Sequence, residues 1–328
     1  MDQARDHARA NAQATPPTPS AWTTRTLLAW MIDAFERKGV DEPRRSAELL
    51  LEHVLQCKRM HLYTHADRPA SEPERDALRT LTARALQHEP VQYLLGEWSF
   101  FGLTIKLDKR VLIPRPCTEI IPTEVLQHAR TRRADAPAED PWSPLIADIG
   151  TGSGCITLAI LSHLHEACAI ATDLSPDALD VARANAERLQ LADRITFAQG
   201  DLLEPVAREL DHCGKLLDYL VSNPPYIPDH EWNDPAMMGR NVKGHEPELA
   251  LRGGVDGMRL VRPLIERGPE LLRPGGMLLI EIAASNADAT LALAARHPLL
   301  EGECLLRDLD GLPRILVAQR SSAPALPN

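Results

Sequence analysis

The sequence predicts an α/β protein, a mostly parallel sheet with helices on both faces, preceded by a small bundle of helices. Three observations predict it. From Leu145 onward, short apolar runs alternate with helical patterns, the mark of strand–helix–strand winding. Residues 22–90 carry apolar side chains at helical spacing. The chain has 328 residues, 44% hydrophobic and 25% charged, enough for a large core and a smaller satellite.

In chain order, residues 1–20 are polar and end on Pro16-Pro17-Thr18-Pro19; they read as a disordered tail without the apolar centre of a signal peptide. Residues 21–90 form the helical domain. Thr23 or Thr24 caps a first helix running to about Lys38, with Gly39 as its stop. Ala47, Leu50, Leu51, Val54 and Leu55 mark one face of a second helix. Leu78, Leu81, Ala85 and Leu86 mark a third, started by Ser71-Glu72-Pro73. This bundle serves either partner recognition or packing. Residues 91–115 read as a hairpin linker, with Tyr93, Trp98, Phe100 and Phe101 beside the alternating run Leu103–Leu107.

The large domain, 116–328, starts with a helix from Thr118 to about Ala129 and a loop over 130–144. Strands are expected at Leu145–Ile149, Ala169–Thr172, Ile195–Ala198, Leu216–Val221, Met277–Ile282, Cys304–Leu306 and Ile315–Ala318. Helical segments run to about His165 after the first strand and at Pro176–Leu189, Met258–Leu272 and Asn286–Arg296.

Bulk properties exclude several classes of function. A net charge of −10 argues against a broad nucleic-acid-coating surface. No run of 18 apolar residues occurs, so no membrane span is expected. The six cysteines are scattered without a CxxC pair, so neither a zinc nor a redox site is signalled. A cytoplasmic protein without a metal is the expectation.

The chemistry gathers at strand ends. The first strand runs into Asp148-Ile149-Gly150-Thr151-Gly152-Ser153-Gly154. Glycines let backbone approach a ligand and turn sharply into a helix. The third glycine comes one residue too early for a dinucleotide fingerprint, Cys155 takes its place, and no phosphate-binding lysine follows. Asp148 is suited to accept from an ammonium group. Asp173 ends the second strand, the position that takes ribose hydroxyls. Asp201, followed by Leu202, ends the third and is suited to an adenine amine. A ligand with an ammonium, a ribose and an adenine but no phosphate is S-adenosylmethionine. After the fourth strand, Asn223-Pro224-Pro225-Tyr226 presents an amide, rigid carbonyls and an aromatic ring at the edge where open sheets bind ligands. Arg115, locked between Pro114 and Pro116, is either a pocket wall that clamps a carboxylate or a surface linker.

The glycine loop, Asp173 and the Asn223–Tyr226 tetrapeptide resemble class I methyltransferases acting on conjugated nitrogens. Glu89–Gly96, Ile113-Pro114-Arg115-Pro116 and His245-Glu246-Pro247 narrow the resemblance to the HemK family of protein-glutamine methyltransferases, over about Trp22 to Gln319. The resemblance implies a Rossmann-like, seven-stranded, mostly parallel sheet and S-adenosylmethionine as methyl donor. It implies class I peptide-chain release factors as protein substrate, without nucleic acid or membrane. Asn223, Pro224 and Tyr226 become catalytic candidates, and Asp148, Gly150, Thr151, Gly152, Ser153, Gly154, Asp173, Asp201, Leu202 and Asn223 cofactor-binding candidates. Asn223, Pro224, Pro225, Tyr226, Arg115 and Glu246 become candidates for holding the glutamine.

Cys117 stands where the family commonly has an acid, and His245 where it commonly has an aromatic residue. The histidine is also similar to sister enzymes that methylate a large-subunit ribosomal protein, whereas Pro116, Thr118-Glu119 and Arg307–Gly311 match the release-factor type. An adenine methyltransferase and a non-catalytic binding module are the readings from other classes.

Overall fold

A computed structural model describes residues 22–135, 142–234 and 237–322. The expected tail at 1–20 lies outside them. The chain divides into two compact units, Met1–Leu95 and Gly96–Asn328.

The first unit is helical. In α1 (Thr24–Lys38), Thr23 and Thr26 satisfy each other's backbone in a capping box, and Gly39 closes the helix at φ 68°. It is followed by α2 (Pro43–Leu55), α3 (Arg59–Thr64), α4 (Glu72–Ala85) and α5 (Val91–Leu95). Ser71 and Glu74 form the capping box of α4, at the start signal the sequence carries. Met31, Phe35, Leu50 and Leu51 are fully buried at its centre. Residues 91–95, expected in an extended hairpin, are helical instead, because the Pro90 carbonyl accepts from the Tyr93 and Leu94 amides and winds a turn.

The second unit opens with the antiparallel hairpin β1 (Glu97–Phe100) and β2 (Leu103–Lys106). A 3-10 turn at Pro116–Glu119 leads into α6 (Ile120–Asp135). Residues 130–135, expected in a loop, therefore prolong the helix. Nothing among Arg130–Asp135 breaks a helix, and its last-turn arginines suit the negative end of the helix dipole. The chain then runs β3 (Leu145–Ile149), α7 (Cys155–His163), β4 (Cys168–Asp173), α8 (Pro176–Arg188), β5 (Ile195–Gln199), α9 (Glu204–Cys213) and β6 (Leu217–Ser222). Next are β7 (Ile227–Pro228), α10 (Asp229–Asn233), α11 (Arg240–His245), β8 (Arg252–Gly254), α12 (Val261–Leu271), β9 (Leu272–Glu281), α13 (Ala287–Ala294), β10 (Leu300–Arg307) and β11 (Pro313–Arg320). No helix among the described residues is long and apolar enough to cross a membrane.

The main sheet has seven strands in the order β10-β11-β9-β6-β3-β4-β5. Strands β9, β6, β3, β4 and β5 are parallel, and β11 and β10 are added antiparallel, so the expected mostly parallel sheet is observed. Side chains alternate between two cores: Tyr219, Val221 and Leu279 face Ile121, Ile156 and Ile160, while Leu220, Leu278 and Ile280 face Val206, Leu264 and Leu316. Strand β9 starts five residues earlier than its apolar run suggests. Its bulge after Leu272 requires Gly276, where a Cβ would lie 2.9 Å from the Arg273 carbonyl oxygen and 3.0 Å from that of Leu217. Winding starts at β3 and runs out through β4 and β5, then returns to β6 on the other side of β3. That makes the carboxyl ends of β3 and β6 the switch point where such sheets bind ligands.

Candidate active site

The glycine loop after β3 is held from all sides. The Thr151 amide donates to the Thr172 carbonyl at 2.8 Å, and the Gly152 amide to Asp173 Oδ2 at 2.9 Å. Asn185, fully buried on α8, donates to the Ser153 carbonyl at 3.0 Å and to the Lys106 carbonyl at 2.8 Å. Gly150, Gly152 and Gly154 all have positive φ, which accounts for glycine at each. A Cβ on Gly154 would press Leu158 at 3.2 Å, whereas Gly150 and Gly152 have open space. Asp148 lies enclosed behind the loop. Its Oδ2 accepts from Thr151 and Thr157 at 2.8 and 2.7 Å, and its Oδ1 is buried without a partner among the described residues. Burial pushes its carboxyl up to about 6.

A cavity of about 480 Å³ opens over this loop, within the range of small-molecule sites. Gly150, Thr151, Gly152, Ser153, Asp173, Asp201 and Leu202 line it, together with Thr118, Asn223, Pro224 and Pro225. Asp173 takes the Gly152 and Ser175 amides on different oxygens, and burial raises its pKa. Gly154 and Asp148, both expected at the cofactor, support the loop from outside the cavity wall.

The tetrapeptide leaves β6 at the sheet edge. Tyr226 is crowded by glycines: a Cβ on Gly253 would lie 2.7 Å from its Cα, and one on Gly257 2.4 Å from its carbonyl oxygen. Its hydroxyl donates to Glu281 Oε1 at 2.9 Å. The Asn223 amide nitrogen donates to Thr118 Oγ1 at 3.1 Å, and Asn223 Oδ1 is buried with no partner among the described residues. Thr118 in turn donates to Glu281 Oε2 at 2.6 Å, and the Cys117 thiol lies 3.7 Å from Glu281 Oε1. Burial, then the neighbouring Glu281, pushes the thiol up to about 11.

A second cavity of about 200 Å³ shares Asn223, Pro224, Leu112 and Ala250 with the first. Tyr226, Met238, Val242 and Leu251 complete much of its apolar wall, and Arg115 lines it as well. Arg115 donates to Glu246 Oε1 at 2.6 Å, and the Ile113 amide to Glu246 Oε2 at 3.1 Å. Arg115 thus faces the smaller cavity, while Glu246 is buried and lines neither. His245 ends α11 and also lines neither.

Thr118, Glu281, Gly253 and Gly257 are not among the expected site residues. Signals existed for three of them: a glutamate inside the buried run Met277–Ile282 demands partners, and Arg252-Gly253-Gly254-Val255-Asp256-Gly257 is glycine-rich. Thr118 stood out only in the resemblance, through Thr118-Glu119, with nothing to indicate its partners.

Residues 26–96 match the PrmC N-terminal domain, and residues 146–233 match a methyltransferase domain. The chain is 43% identical to a release factor glutamine methyltransferase of Chlorobaculum tepidum over 83% of this chain and 89% of that one. It is 36% identical to a release factor glutamine methyltransferase of Rhodopirellula baltica, over 94% of this chain and 100% of the other. With the human MTRF1L release factor glutamine methyltransferase it shares 33% identity, over 94% and 91% of the two chains.

Proposed function

The chain belongs to the release factor glutamine methyltransferase family, and from that premise we propose that it moves a methyl group from S-adenosylmethionine to the side-chain amide nitrogen of the glutamine in the Gly-Gly-Gln motif of class I peptide-chain release factors, in the cytoplasm. The observation that carries the reading is Asn223 Oδ1, a buried acceptor without a partner among the described residues, in a wall common to two cavities. An unpaired buried acceptor costs on the order of 1–3 kcal/mol, and a substrate N–H removes that cost.

The residues around the larger cavity suit the methyl donor. Asp173 and Asp201 offer carboxylate oxygens to a ribose and an adenine, Gly150 and Gly152 leave open space, and Leu202 supplies an apolar contact. Asp148 acts at one remove by holding the loop. Bound there, S-adenosylmethionine supplies a methyl group on a positively charged sulfonium. Arg115 and Tyr226 border the space for the glutamine, and Pro225 lies on the side of the larger cavity; Glu246 holds Arg115.

A primary amide nitrogen is a weak nucleophile, since its lone pair is delocalised into the carbonyl. Asn223 Oδ1 and the Pro224 carbonyl accept its two N–H groups, aiming the lone pair and stabilising the positive charge that grows on nitrogen. A nitrogen–carbon bond forms, the carbon–sulfur bond breaks with its electron pair left on sulfur, and nitrogen loses one proton to solvent. The helical unit that ends at Leu95 is assigned to recognition of the release factor.

Incubation with methyl-labelled S-adenosylmethionine and, in parallel, release factor, a large-subunit ribosomal protein and DNA oligonucleotides tests the reading. Label on the Gly-Gly-Gln glutamine, mapped by mass spectrometry, is expected. Label only on ribosomal protein or only on DNA overturns it.

A further inference from the structure

We propose that Glu281 is a positioning residue that sets which way the Asn223 amide faces, through Thr118, while holding Tyr226 directly. The inference rests on the glutamine reading above. Glu281 ends β9 and is fully buried between Ile280 and Ile282, equally buried. A carboxylate there must be hydrogen-bonded, and it takes Thr118, Tyr226 and Cys117 as donors.

The consequence follows from counting hydrogens. A threonine hydroxyl has one. Thr118 commits it to Glu281 at 2.6 Å, a charge-assisted length, so toward Asn223 it can only accept. The Asn223 NH₂ therefore faces Thr118, and Oδ1 is left unpartnered. The opposite orientation would set two lone pairs against each other and offer N–H groups where the substrate amide also offers N–H groups. The other Glu281 oxygen takes the Tyr226 hydroxyl. One carboxylate thereby ties both ends of the rigid Pro224-Pro225 pair.

Thr118→Val keeps the shape and removes the relay; Thr118→Ser restores the hydroxyl. With release factor as acceptor, Thr118→Val is expected to lower kcat about tenfold or more. The acceptor KM, and the S-adenosylmethionine Kd measured by calorimetry, should stay within about twofold. Thr118→Ser should regain most of the lost rate. Glu281→Gln, of nearly equal shape, is measured alongside and should show the same division between kcat and KM. A Thr118→Val enzyme as fast as wild type, or a Thr118→Ser enzyme as slow as the valine variant, overturns this inference alone. Wild-type enzyme that leaves the glutamine unlabelled overturns the glutamine reading and this one with it.

Discussion

Glu48 in the helical unit and Glu281 in the sheet unit are both fully covered carboxylates, yet their partners differ in kind. Glu48 accepts from Arg59 at 2.8 Å and from the Tyr63 hydroxyl, with Arg45 at 3.9 Å. Burial works to raise its pKa, but Tyr63 and Arg59 outweigh it and hold the carboxyl below the usual range. Glu281 has only neutral donors; among the described residues no cation lies within ion-pair distance. Burial therefore prevails and raises it. The arginines over Glu48 are themselves about half exposed, so that carboxylate belongs to a shallow ion pair joining α2 to α3. A carboxylate without a cation, deep at a strand end, is instead a device for directing hydrogen bonds.

The largest expected effect is at the group this device serves. Asn223→Ala should lower kcat by about 10³ with the S-adenosylmethionine Kd within about threefold. Equal losses in both would move Asn223 into the cofactor site and leave Glu281 with nothing to orient.

A third enclosed carboxylate, Asp148, sharpens the contrast through pH. Its ordinary pKa near 3.9 is raised by burial to about 6, so the folded state holds its proton more tightly than the unfolded state. Its contribution to stability is full below about pH 4 and is lost as pH rises through about 6, by ~3 kcal/mol at most. Asp148→Asn lacks this loss. Its melting temperature relative to wild type should rise between pH 4 and pH 7; a constant difference across that window refutes the assignment.

The smallest effects put the two glutamates side by side. Glu281→Gln should lower kcat about tenfold, roughly one hydrogen bond to a charged group. Glu48→Gln should leave kcat unchanged and cost about 1–2 kcal/mol of stability, read as a drop of a few degrees in Tm. Steady-state kinetics and melting curves on the two variants decide it: a slow Glu48→Gln beside a fast Glu281→Gln reverses the comparison.

Much of the fold was legible because it is local. Ser71-Glu72-Pro73 announces a capped helix, and Leu145–Ile149 followed by glycines announces a strand turning into a helix. Helix α9 is not among the expected elements, although Leu203, Val206 and Leu210 lie at helical spacing and Pro205 sits in the first turn, where a helix tolerates it. The candidate site was legible in its cavity-lining loops and not in their supports. Asp148, expected as a ligand group, is enclosed beneath the loop, and burial depends on what covers a side chain.

By itself the sequence determined the strand–helix alternation, the glycine loop at positive φ and the rigid Asn-Pro-Pro-Tyr corner, since periodicity and backbone restriction act over a few residues. Only the tertiary structure decided that Thr118 meets Glu281 across 163 positions and Arg115 meets Glu246 across 131. Those pairs depend on β9 lying beside β6, and on the 113–118 segment lying against the loops after both. Strand order and packing set such contacts, and no short-range pattern encodes them.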